Sequence, residues 1–75
     1  YNNQGIVYLK QKDYNKAVDS FGKAIQLNKN YGVAYLNRGI AYEYLLNADK
    51  ACADWKQAAD LNTENASRFY NTECE

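Results

Sequence analysis

Residues 35–58 read YLNRGIAYEYLLNADKACADWKQA, and residues 1–24 read YNNQGIVYLKQKDYNKAVDSFGKA. Laid over each other at a shift of 34, the two stretches share Tyr, Asn, Gly, Ile and Tyr in their first halves. These are Tyr1, Asn3, Gly5, Ile6 and Tyr8 on Tyr35, Asn37, Gly39, Ile40 and Tyr42. In the second halves Lys16, Ala17 and Ala24 fall on Lys50, Ala51 and Ala58, and Phe21 falls on Trp55. Extended to residues 1–31 on 35–65, the register adds Leu27 on Leu61 and Asn28 on Asn62, giving ten identities in 31 positions. Average residue usage would give about two by chance. A second shift sets Phe69 on Tyr35 and Asn71 on Asn37. Self-similarity at a fixed period marks stacked supersecondary units that cannot bury their apolar faces singly.

Each unit reads as two helices. Asp13 and Asn47 hold one repeat position and suit the N-cap of a second helix. Asn28 and Asn62 suit its end, where Asn tolerates the left-handed conformation. Proline is absent from the chain, which favours helix throughout. The expected helices run over 1–11, 14–27, 32–46, 48–61 and 65–75, and short loops make consecutive helices antiparallel. The expected fold class is therefore all-α, a tandem of helix-turn-helix repeats with about five antiparallel helices. Residues 1–31 form a first unit that starts part-way into its first helix, 32–65 a second, and 66–75 a capping helix. Tyr8, Ala17, Phe21, Ala24 and Leu27 are the expected packing positions. Gly5 with Ala24, and Gly39 with Ala58, would let helix axes approach to about 8 Å.

The composition narrows the function. Nine Lys+Arg balance nine Asp+Glu, without the basic excess that phosphate neutralisation requires, so nucleic acid is not expected as a partner. No apolar run approaches the roughly 20 residues of a membrane span. Histidine is absent, which removes the commonest general base and metal ligand. Cys52 and Cys74 lack an imidazole to activate a thiolate, and two cysteines alone do not hold zinc. No phosphate-binding glycine loop is present. The expectation is no enzyme activity, no cofactor and no metal. The spacings Asp19/Lys23 and Lys50/Asp54 suggest ordinary surface ion pairs.

These repeated residues resemble the tetratricopeptide repeat family over the whole chain. The family pattern of aromatic, Gly, Tyr, small, aromatic, Ala is Tyr1, Gly5, Tyr8, Ala17, Phe21, Ala24 and again Tyr35, Gly39, Tyr42, Ala51, Trp55, Ala58. The family's frequent Leu before Gly is Gln4 and Arg38 here, and its frequent Pro between units is Lys29 and Thr63. The resemblance implies a superhelical α-solenoid whose first helices line a concave groove for a peptide or partner segment. On that implication the groove contacts are Asn2, Asn3, Ile6, Leu9 and Lys10; Val33, Leu36, Asn37, Ile40, Glu43 and Tyr44; and Tyr70 and Asn71. Asn3, Asn37 and Asn71 would form a ladder of amides able both to donate to and to accept from a peptide backbone. The family's carboxylate clamp for chaperone C-termini is not expected. Its basic positions are Val33 and Asn37, or Ser67 and Asn71, here. The competing expectation is self-association through uncovered apolar ends, since such arrays usually need about three units.

Cys52 lies eleven residues before Thr63 and Cys74 eleven after it. In a helical hairpin turning at Thr63, both stand about 16 Å from the turn, on facing stripes. Close approach is the expectation. A disulfide in an oxidising compartment and a pair of buried thiols in a reducing one both remain open.

Overall fold

The structure, a computed structural model, describes residues 1–74. Five helices follow in order: α1 Asn2–Lys10, α2 Tyr14–Leu27, α3 Gly32–Tyr44, α4 Ala48–Asp60 and α5 Ala66–Cys74. The expected extension of the last helix to Glu75 lies outside the described residues. The helices pack consecutively, α1 on α2, α2 on α3, α3 on α4 and α4 on α5, with α1 also touching α3.

The helix ends show the repeat at the level of single hydrogen bonds. The Asp13 side chain accepts from the Lys16 N–H at 3.4 Å, and Asn47 accepts from Lys50 at 3.3 Å. Each thereby meets one of the unpaired donors of a helix N-terminus. The preceding helices α1 and α3 end alike. Lys12 and Leu46 take φ of 63° and 61°, and the N–H groups of Asp13 and Asn47 return to the carbonyls of Tyr8 and Tyr42, both at 2.9 Å. These are left-handed C-terminal turns in which the next N–H closes a six-residue ring. Leu46 in that conformation explains why α3 stops at Tyr44 rather than at 46. Asn62 ends α4 in the same way with φ 58°. Asn28 does not: it is extended at φ −149°, and its side chain instead accepts from the Asn30 N–H at 3.1 Å.

The core is built on aromatics seated against glycine. A Cβ placed on Gly5 would lie 2.5 Å from the Phe21 ring, and one on Gly39 2.5 Å from the Trp55 indole. The glycines thus make room for rings, not for the approach of Ala24 and Ala58 expected from sequence, although both alanines are buried. Phe21 packs with Ala17 and Ala41, with Ile6, Tyr8, Leu9 and Val18 around them. Ala24, Ile25 and Ala34 form a second cluster with Tyr31 and Tyr35. Leu27, expected in the core, is 75% exposed. Its counterpart Leu61 lies against Gly32.

Candidate functional site

The first helices α1 and α3 bring Leu9, Lys10, Ile40 and Tyr44 to one open cleft of about 300 Å³. Lys12 and Tyr14 complete it. Tyr14 and Tyr44 stack with centroids 4.7 Å apart and planes 4° apart, leaving Tyr44 60% exposed. Neither Lys12 nor Tyr14 was expected there. Tyr14 has Ala48 as its repeat counterpart, so a reading guided by repeated residues passes over it.

A second cleft of about 300 Å³ lies between α3 and α5, lined by Glu43, Arg68, Phe69, Thr72 and Glu73. The hydrogen bond between Glu43 and Glu73 raises the Glu43 carboxyl above its ordinary value, with burial and the neighbouring charge adding in the same direction. A hydrogen-bond partner and a nearby like charge both favour the neutral form of Glu43. A third cleft, of about 310 Å³, gathers Tyr1, Asn2 and Asn3 with Ala24, Leu27, Asn28 and Tyr31.

The amide ladder is rearranged. Asn37 Nδ2 donates to Asn2 Oδ1 at 3.3 Å, and Asn2 is buried. Asn2 therefore braces α1 against α3 instead of facing the open side. Asn3 and Asn71 are exposed, Leu36 and Tyr70 are half-buried, and Val33 is exposed. Ile6 packs on the Phe21 cluster.

Asp54, expected in a surface pair with Lys50, is 6% exposed. It accepts two hydrogen bonds from Arg38, from Nε and Nη2, both at 2.8 Å. This hydrogen bonding holds the guanidinium above its usual pKa, against the opposing effect of burial. The rings of Tyr35 and Tyr42 flank it at 5.6 and 5.9 Å. Such a forked pair, buried at its Asp54 end, engages the two charges with each other. Lys50 lies over the Tyr42 ring at 5.6 Å, as Lys16 lies over Tyr8 at 5.9 Å. Asp19 and Lys23 form no ion pair among the described residues; Lys23 lies over Tyr1 at 5.7 Å.

Cys52 and Cys74 stand with Cα atoms 5.8 Å apart and are joined by a disulfide. Among the described residues no group of three or more His, Cys, Asp or Glu is placed to hold a metal ion. Among the described residues no helix is long and apolar enough to cross a membrane.

Helical hairpins that repeat their caps, their left-handed turns and their glycine–aromatic contacts define an α-hairpin repeat protein. Residues 1–31 match the family model of the tetratricopeptide repeat. Small glutamine-rich tetratricopeptide repeat-containing protein 2 of Mycosarcoma maydis is 37% identical over 59 residues, 79% of this chain and 17% of its own length. Protein STIP1 homolog of Dictyostelium discoideum is 34% identical over 64 residues, 85% of this chain and 11% of its own. Lipoprotein NlpI homolog of Haemophilus influenzae is 33% identical over 57 residues, 76% of this chain and 18% of its own. The chain thus spans less than a fifth of each of these relatives. No solved structure gave a significant match. The chain belongs to the tetratricopeptide repeat family, and the general role of that family is that of a protein-interaction module.

Proposed function

We propose that this segment binds an extended peptide or partner segment along the side formed by α1, α3 and α5, as a non-catalytic adaptor. Residues 1–31 and 32–65 act as two units and the helix from residue 66 as their cap. The observation that carries the reading is the cleft of Leu9, Lys10, Ile40 and Tyr44. It is concave, open and mixed in chemistry, with apolar walls and two lysines at its rim. Such clefts bury a partner's anchor side chain and orient it with a few polar groups. The absence of histidine and the joining of both cysteines support the non-catalytic side of the reading.

A displayed-peptide selection tests it. Peptides that bind should perturb backbone resonances of residues 6–10 and 36–44. They should also bind Tyr44→Ser at least about tenfold more weakly, a loss of about 1.4 kcal/mol, while the variant's melting temperature changes little. Asn37→Ala is a poorer probe, because it strips Asn2 of its partner. Selected peptides that map to α2 and α4, or a protein that selects none and dimerises through its ends, would overturn the groove reading.

A further inference from the structure

We propose that the Cys52–Cys74 bond is a reversible latch holding α5 over the Trp55 face of α4, opened by a dithiol reductant without unfolding the two hairpins. The grip on α5 is uneven along its length. The helix has nine residues, too few to persist in water by itself. Its one buried side chain is Ala66, at the first residue. Phe69 follows, half-buried, stacked on Trp55 at 5.3 Å. Beyond Phe69, Tyr70 is half-buried, and Asn71, Thr72 and Glu73 are exposed. Past Tyr70 the far end is held chiefly by the bond at Cys74. Both cysteines are half-buried.

The hairpins have independent support. The clusters around Phe21 and around Ala24 are built from α1, α2 and α3 without α5. Trp55 is also fixed from the α3 side, where it abuts Gly39 and its Nε1 donates to the Leu36 carbonyl at 3.3 Å. Breaking the bond frees a 22-residue separation whose closure restrained only the α4–α5 hairpin.

In the opening step a thiolate of the dithiol attacks one sulfur, forming a mixed disulfide and expelling the other cysteine as thiolate. The second thiol of the reductant then closes onto the first and releases the remaining cysteine. Two electrons and two protons pass to the protein, leaving two thiols, and the reductant becomes its own disulfide. A disulfide oxidant reverses the exchange. Release withdraws Phe69, Thr72 and Glu73 from the cleft that Glu43 lines. That last consequence rests on the groove reading above, whereas the latch does not.

Trp55 is the only tryptophan and is 1% exposed, so its fluorescence reports the latch. Protein purified without reductant should show no free thiol on unfolding. Excess dithiothreitol should release two thiols, shift Trp55 emission to the red and raise its quenching by iodide severalfold. Amide exchange should rise in residues 66–74 while residues 14–44 stay protected, and the melting temperature should fall by roughly 10 °C or more. The double variant Cys52→Ser, Cys74→Ser should show the reduced signature with and without reductant. Three results would overturn the latch: two free thiols before reduction, Trp55 unchanged after both thiols are released, or loss of helix throughout the chain on reduction. A peptide affinity indifferent to reductant, with Trp55 exposed, would defeat only the consequence for the groove.

Discussion

The two hairpins share a frame and differ in how one crossing is filled. Caps at Asp13 and Asn47, left-handed turns at Lys12 and Leu46, and lysines over Tyr8 and Tyr42 coincide position by position. Gly5 under Phe21 matches Gly39 under Trp55. Yet where the second hairpin has Arg38 bonded to Asp54, the first has Gln4 and Ser20 at the equivalent positions. Ser20 is buried, while Gln4 is exposed. The two positions change together: a small buried hydroxyl needs no cation, and a buried carboxylate does. The frame of the repeat is thus carried by backbone geometry and by glycine–aromatic contact. The crossing pair is a local solution that each hairpin reaches differently.

The aromatic seats should give the largest effects. Phe21→Ala and Trp55→Ala should each cost about 3–5 kcal/mol. That is much of the stability available to a chain this size, at roughly 0.05–0.15 kcal/mol per residue. Because Phe21 packs on Ala41 of α3, the two hairpins should melt together in both variants. A Phe21→Ala protein that keeps a separate transition for residues 32–60 by amide exchange would break the idea of one shared core.

The crossing pair comes next. Asp54→Ala should cost about 2 kcal/mol, below the range for a fully buried pair because Arg38 keeps some solvent contact. Ser20→Ala should cost less than about 0.5 kcal/mol, in line with substitutions that remove no partnered group. Arg38→Leu combined with Asp54→Ala should recover most of the loss, since an apolar filling can replace an ion pair of similar volume. Denaturant unfolding of the three variants measures this, and a double variant no better than Asp54→Ala would show the pair to be more than a filling.

Glycine replacement separates the hairpins more finely. At Gly5 the three atoms nearest a new methyl all belong to the Phe21 ring, whereas at Gly39 they include the Ala51 carbonyl at 3.1 Å, which is backbone and cannot turn aside. Overpacking of about 1–3 kcal/mol, less roughly 1 kcal/mol gained in helix propensity, should leave both Gly5→Ala and Gly39→Ala destabilised, Gly39→Ala the more. Equal thermal shifts would mean that the rings, not the backbone, decide both.

Features that repeat were legible before any coordinates, because a period converts local chemistry into position: five helices, both N-caps, and the rings of Phe21 and Trp55. Cys52 and Cys74 could be brought together from helical rise and one turn. Features that depend on the partner across a crossing were not legible. Asp54 sits four residues from Lys50 and reads as a surface pair until Arg38, sixteen residues away, is seen to reach it. Asn2 reads as an open groove residue until Asn37 is found bonded to it. Tyr14 and Lys12 were missed at the cleft because they have no equivalents in the second unit to draw notice. Asn28 shared its residue type with Asn62 but not its conformation, since its side chain closes a local turn with Asn30.

The smallest expected effect concerns the third first-type helix. Under the second shift Glu73 of α5 occupies the place of Gly39, and Glu43 of α3 that of Leu9. An apolar contact and a glycine seat have become two facing carboxylates. Glu43 is raised in the folded protein by its hydrogen bond to Glu73, so the folded state holds that proton more tightly than the unfolded chain. By linkage this contribution is fully present below the ordinary Glu pKa and is lost as pH rises through the raised value. Arg68 lies in the same cleft. Glu43 is largely open to solvent, so screening limits the effect to a few tenths of a kcal/mol. Glu73→Gln removes the carboxyl partner of Glu43 and should flatten the pH dependence of amide protection in α5, once the intrinsic exchange rate is divided out. The difference from the native protein should shrink in high salt. An unchanged pH dependence in Glu73→Gln would mean that the two carboxylates do not act on each other, and that α5 owes its looseness to the short helix alone.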